Sequence, residues 1–214
     1  ELGDTRHPRG PGSGGSWGAA SICSAAYLAC LALRETLAKR ANASEENLEL
    51  KDGAVVGGAS LVNLLDGKDL AEEGHYEPGD IEDDFTAAGF GAFFARVRVN
   101  RFTGETRVEH MTGAFGFGRV LNTKTARSQC LGGMTWSIGA ALTEAMLFDP
   151  VDGHLANCDL AEYHVPVNRD VPDLDVLFVE ERDGAASPIQ AKGIGELGMC
   201  GGAAAIANAI YNAS

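Results

Sequence analysis

From Ser16 to about Arg40 the chain reads SWGAASICSAAYLACLALRETLAKR, an Ala- and Leu-rich run that predicts one long helix. Its last turn is cationic, which suits the negative end of a helix dipole, and small residues on its first turns predict very close packing. Leu48-Glu49-Leu50, the turn Asp52-Gly53 and Ala54-Val55-Val56 read as a short hairpin. Phe90 to Asn100 and Thr106 to Phe115 alternate as a longer hairpin around Phe102-Thr103-Gly104-Glu105. A second helical pattern runs from Thr123 to about Phe148, a strand from Asp173 to Glu181, and an Ala-rich helix closes the chain. Between the hairpins, DGKDLAEEGHYEPGDIEDDFTAA (66–88) reads as a solvated acidic excursion. Hairpins alternating with long helices predict an α+β fold rather than a repeated βαβ sheet.

Charge and composition narrow the chemistry. The 214 residues carry a net charge of −13, which repels nucleic acid and anionic membranes over most of the surface. Any anionic ligand must then be held by backbone N–H groups and a few local cations. Glycine, at 28 residues, exceeds its average usage of roughly 7%. Cys23, Cys30, Cys130, Cys158 and Cys200 form no CxxC pair and no His/Cys spacing suited to zinc, and Cys23 and Cys30 are expected to pack in a core. The five histidines are scattered, and GxSxG is absent, so nothing supports a serine hydrolase. No stretch reads as long and apolar enough to span a membrane, and no signal peptide is expected. The chain starts without methionine on a loop-like sequence and stops just after a helix, which reads as part of a longer polypeptide.

Two glycine-rich loops stand out, each opening a predicted helix. The first, GPGSGGSWGAAS (10–21), and the second, KGIGELGMCGG (192–202), both satisfy GxGxxG formally: Gly10, Gly12 and Gly15, then Gly193, Gly195 and Gly198. Neither follows a hydrophobic strand, as a dinucleotide-binding Rossmann fingerprint requires, so an NAD- or FAD-binding domain is the weaker alternative. Both loops suit a phosphate or pyrophosphate oxygen at a helix start. Glu196 sits alone among the glycines of the second loop, a placement for an acid/base group held against a ligand. Lys192, four residues earlier, could pair with a phosphate or with that carboxylate. Gln129 lies in the first turns of its helix, followed by Gly132-Gly133, which would let something approach. A bland rival is a non-catalytic scaffold whose glycines only pack helices.

GSGGSWGAAS, then ARSQCLGGMTWSIGAAL, then KGIGELGMCGGAAAIANAI, taken in that order, resemble the C-terminal part of the molybdenum-binding large subunit of the xanthine oxidase/aldehyde oxidoreductase family, with the bacterial periplasmic type nearest in character. The hairpin ARVRVNRFTGE and the following GRVLN are similar to it as well. The resemblance implies a molybdenum-cofactor-binding domain of long helices on antiparallel hairpins, with residues 1–214 a fragment of a longer large subunit. It implies that Glu196 is the general base taking a proton from Mo–OH during oxidation of an aldehyde or hydroxylation of an N-heterocycle. It places Ser13, Gly14, Gly15, Ser16, Gly18 and Ala19 in the loop holding molybdopterin, in its cytosine dinucleotide form, and Gln129, Lys192, Gly193 and Gly195 beside the same cofactor. No side chain is expected to ligate the metal, which the pterin dithiolene holds. The remainder of the large subunit, an iron–sulfur subunit and an FAD subunit are the implied partners, and either a cytoplasmic or a periplasmic setting fits.

Overall fold

The computed structural model describes residues 3–78 and 81–214; Glu1 and Leu2 of the N-terminal loop and Gly79 and Asp80 of the acidic stretch lie outside them. The first long helix is α1 (Gly18–Ala41), and the short hairpin is β1 (Leu50–Lys51) with β2 (Ala54–Val55). Two short helices follow, α2 (Leu61–Leu65) and α3 (Ile81–Asp84). The long hairpin is β3 (Phe90–Val99) and β4 (Thr106–Gly116), then come α4 (Thr123–Leu142), β5 (Asp173–Phe178) and α5 (Gly202–Ala213).

β3 and β4 pair antiparallel as their alternation predicts, but β5 joins the other edge of β4 in parallel, in the order β3-β4-β5. The antiparallel hairpins are as expected, and α4 with the long connection after it forms the crossover that the parallel neighbour requires. A Rossmann reading is overturned here too. The glycines before α1 follow a loop, and the second set follows only an isolated bridge between Gly118 and Ala191.

One irregularity organises the core. On β4 the buried face runs through Val108, then through Met111, Gly113 and Phe115, a change of phase. The ladder shifts between Arg96 and Val97, which pair with His110 and Val108, leaving Glu109 as the extra residue of a bulge. Glu109 turns outward to Arg98, 3.2 Å away. Met111 and Phe115 then meet the stripe Ala126, Cys130, Met134 and Ile138 of α4 and Ile206 of α5 in one cluster. α4 ends at Leu142, six residues before the expected Phe148; the Thr143 and Glu144 amides both bond to the Gly139 carbonyl.

The acidic stretch is not a free excursion. Glu72 accepts a hydrogen bond from Thr36 at 2.8 Å, Tyr76 donates to the Ala186 carbonyl at 3.3 Å, and Gly74 lies against the backbone of Ala25 and Ala29. The small residues of α1 let this strap cross it closely. α1 also corrects the membrane expectation. Its 24 residues are long and apolar enough, by length and composition, to cross a bilayer, and Ile22, Cys23, Tyr27 and Cys30 are exposed in this chain rather than packed in a core. Alanine and cysteine supply that apolarity without the bulky runs that mark a span by eye.

Candidate active site

The two glycine loops meet. The Gly195 amide donates to the Gly15 carbonyl at 2.7 Å, and a Cβ placed on Gly193 would lie 2.6 Å from that same oxygen. A Cβ on Gly195 would fall 2.7 Å from the Gly15 Cα and the Ser16 nitrogen. Gly193 and Gly195 are thus glycine because another backbone lies on them.

The same loop continues onto α4. A Cβ on Gly133 would lie 2.7 Å from the Gly198 carbonyl carbon, and one on Gly198 would lie 2.5 Å from the Cys130 carbonyl oxygen. What approaches Gly133 is the protein's own chain. Gln129 precedes Cys130 in that turn and is exposed. Gly132, one turn on from Gln129, faces open space, as does Gly12. No neighbour among the described residues requires glycine at either position.

Strain concentrates at this knot. Among the described residues six non-glycines have positive φ: Asn42 and Asp66 cap helices, and Asp52 occupies the Asp-Gly turn, each with a local reason. Of the other three, Ser16 and Glu196 belong to the joined loops and Gln190 lies two residues before the second. Such residues cost of order 1–3 kcal/mol and persist where surroundings over-determine them. Glu196, at φ 64°, is exposed, and the Met199 amide donates to its carbonyl at 3.0 Å.

Around the first loop, Ser13 Oγ accepts from the Gly18 amide at 3.3 Å and so caps α1 from outside. The Ala19 and Ala20 amides have no acceptor among the described residues. Ser13, Gly14, Gly15 and Ala19 are exposed, Ser16 half-buried and Gly18 buried.

Lys192 is placed differently from expectation. Its side chain is only 6% exposed and turns away from Glu196, to Asp183 at 2.8 Å, Glu181 at 2.9 Å and the Ala88 carbonyl at 3.1 Å. An ammonium has three donors, so none is left for a phosphate. Burial depresses the Lys192 pKa, but hydrogen bonds to Asp183 and Glu181 outweigh it and the net shift is upward. The Lys192 hydrogen bond holds both carboxyls below their ordinary range, with a second bond from the Gly118 amide helping at Glu181. Sequence reasoning missed Glu181 and Asp183. The available signal was the acidic run Glu180-Glu181-Arg182-Asp183 directly after a strand, in a chain whose glycine loop carries one cation.

The structure therefore joins the N-terminal glycine loop, the Glu196 loop and the Gln129 turn of α4 by direct backbone contact, and leaves Glu196 and Gln129 exposed. Residues 1–172 match the family model of a molybdopterin cofactor-binding domain. The chain belongs to that family. The Glu196 loop lies beyond the matched residues. Similarity to the aldehyde oxidoreductase molybdenum-binding subunit PaoC of Escherichia coli, at 43% identity, extends over the whole chain and 30% of that subunit. The gamma subunit of the 6-hydroxypseudooxynicotine dehydrogenase complex of Paenarthrobacter nicotinovorans is 30% identical over 95% of this chain and 28% of its own length. Among solved structures, quinoline 2-oxidoreductase from Pseudomonas putida 86 superposes with a TM-score of 0.69 at 26% identity, over 82% of this chain and 24% of that one. This member of the molybdopterin-binding family thus spans under a third of the relatives it matches.

Molybdopterin and its nucleotide form are anionic, and the outward side of the joined loops fits such a group. It offers the Ala19 and Ala20 amides, which have no acceptor among the described residues, the hydroxyls of Ser13 and Ser16, and the faces of Gly12 and Gly132 that no described residue covers. Held anions need no cation side chain at a helix start, which accords with Lys192 being engaged elsewhere.

Proposed function

We propose that this chain is the part of a molybdenum hydroxylase that presents a general base, Glu196, to a bound molybdopterin, in an enzyme oxidising aldehydes or hydroxylating N-heterocycles. The observation that carries the reading is the outward-facing Glu196 in a strained conformation, pinned between two glycine loops of a molybdopterin-binding family member. When bound, the cofactor supplies the metal at which oxygen transfer and two-electron oxidation take place.

This chain's residues do the rest. The Glu196 carboxylate takes up a proton through an Oε oxygen, a step worth typically 10²–10⁴ in rate when the base is positioned. Its fixed backbone keeps that oxygen from wandering, which a glycine loop alone would allow. Gln129, whose amide both donates and accepts, orients the cofactor. The Ser13–Ser16 loop and the first amides of α1 hold the pyrophosphate of a cytosine dinucleotide form. Glu196 is exposed in this chain, so the remainder of a longer subunit must close over it and exclude water. The names of the relatives support the substrate classes, an aldehyde in one and quinoline in another. A relative that is one subunit of a complex supports partner subunits, and in this reading those partners carry the iron–sulfur clusters and FAD that take electrons away.

The test is a metals-and-pterin assay on the native assembly containing this chain. Denaturation should release molybdenum and pterin in near-equal amounts together with cytidine monophosphate on mild hydrolysis, while NAD and FAD titrations against this chain's subunit stay flat. Absence of pterin and metal would leave a scaffold segment.

A further inference from the structure

We propose that Lys192 is a positioning residue for Glu196: its ammonium ties three separate segments together at the base of the loop and so fixes where the carboxylate stands. The inference rests on the reading of Glu196 as the base.

The geometry is that of a buried cross-link. Lys192 Nζ bonds the Ala88 carbonyl before β3 and the carboxylates of Glu181 and Asp183 after β5. The other oxygen of Glu181 accepts from the Gly118 amide at 2.8 Å, which brings in the exit of β4. The Lys192 amide donates to the Phe117 carbonyl at 3.1 Å, and the Arg119 amide to the Gln190 carbonyl at 2.6 Å. On the far side of Glu196, Leu197 packs beside Gly89, next to the Ala88 that Lys192 holds. Both flanks of Glu196 are therefore referred to the one segment 88–89.

Such an anchor matters because the intervening chain is Gly193-Ile194-Gly195. Glycine loses the most conformational freedom on folding, so this stretch has little stiffness of its own. Ile194 is buried and Gly195 is bonded to Gly15, while upstream of Gly193 the backbone is held to Phe117 and Arg119, and the ammonium adds the tie to segments 88 and 181–183. Without the ammonium, Glu181 and Asp183 would face each other uncompensated and the Ala88 carbonyl would lose its donor. The backbone bonds to Phe117 and Gly15 would remain, but the loop would lose its tie to segment 88 and could shift by the slack they leave; a displacement of about 1 Å can cost 10²-fold in rate.

The experiment compares Lys192→Met and the milder Asp183→Asn with Glu196→Gln in the complete native assembly. Turnover per bound molybdenum and hydrogen exchange of the 193–200 amides are both measured. Lys192→Met should lower kcat about 10- to 100-fold at unchanged KM, and Asp183→Asn several-fold. Both should raise exchange in 193–200 at least about tenfold, with helix α5 unchanged. If Lys192→Met does not assemble, the Asp183→Asn exchange map decides. Wild-type exchange in 193–200 with wild-type kcat in either variant overturns the positioning role. Should Glu196→Gln keep full turnover while the exchange effect is present, the base assignment fails and the cross-link stands.

Discussion

Glu196, Ser16 and Gln190 hold left-handed backbone without the local excuse that Asn42, Asp52 and Asp66 have. The glycines around them divide into those that another backbone presses on, such as Gly133 and Gly198, and those facing open space, such as Gly132. Two substitutions separate these. Gly133→Ala overpacks a backbone contact and should destabilise by about 1–3 kcal/mol in denaturant unfolding. Gly132→Ala meets nothing among the described residues and gains helix propensity, so stability should hold or rise by up to about 1 kcal/mol. Its cofactor content should nonetheless fall, since the open face is where the account puts the cofactor; full molybdenum content would count against that. The Cys130 thiol is buried in the core, and burial pushes its pKa up to about 11, a shift that Arg127 only partly offsets. It should resist iodoacetamide at neutral pH until the protein unfolds, as mass spectrometry of the labelled peptides would report.

At the level of elements, α1, both hairpins and α5 were legible because their periodicities are long and their turn residues distinctive. The parallel pairing of β5 was not, since a six-residue strand carries no mark of its direction. Nor was the early end of α4, where the chain stays apolar past Leu142 and only the hydrogen bonds to Gly139 stop it. Its start is plainer: Asn122 Oδ1 accepts from the Thr125 amide at 3.0 Å. Asn122→Ala should cost about 1 kcal/mol, read as a shift in unfolding midpoint. The Lys192 cross-link was invisible because its partners lie in segments that only folding brings together. Its sign with pH is fixed. Glu181 and Asp183, lowered, stabilise fully above their unfolded values near 4 and lose that contribution as pH falls through their folded values. Lys192, raised, contributes below its unfolded value near 10.4 and loses it as pH rises through the folded one. Exchange at the Gly118 amide, corrected for intrinsic rate, should therefore accelerate in acid below about pH 4 and stay flat across neutrality.

Large apolar side chains lie exposed on several faces of the molecule. Phe90, Phe94 and Leu177 lie bare on the sheet, and Met146, Leu147, Phe148 and Val151 on the connection after α4. A cavity of about 520 Å³ between α1, β1 and α2 is lined by Leu33, Leu37, Leu61 and Leu65, well away from the glycine loops. Apolar patches of this kind mark surfaces that other protein covers, in keeping with a chain that spans 30% of its relative. The 214 residues expressed alone should self-associate in light scattering. Whether they act as a catalytic part is decided most directly by Glu196→Gln in the complete native assembly. The account predicts unchanged molybdenum and pterin content with turnover reduced at least about 100-fold, the loss expected of a positioned general base. Turnover within a factor of two of wild type, at full cofactor content, would contradict it.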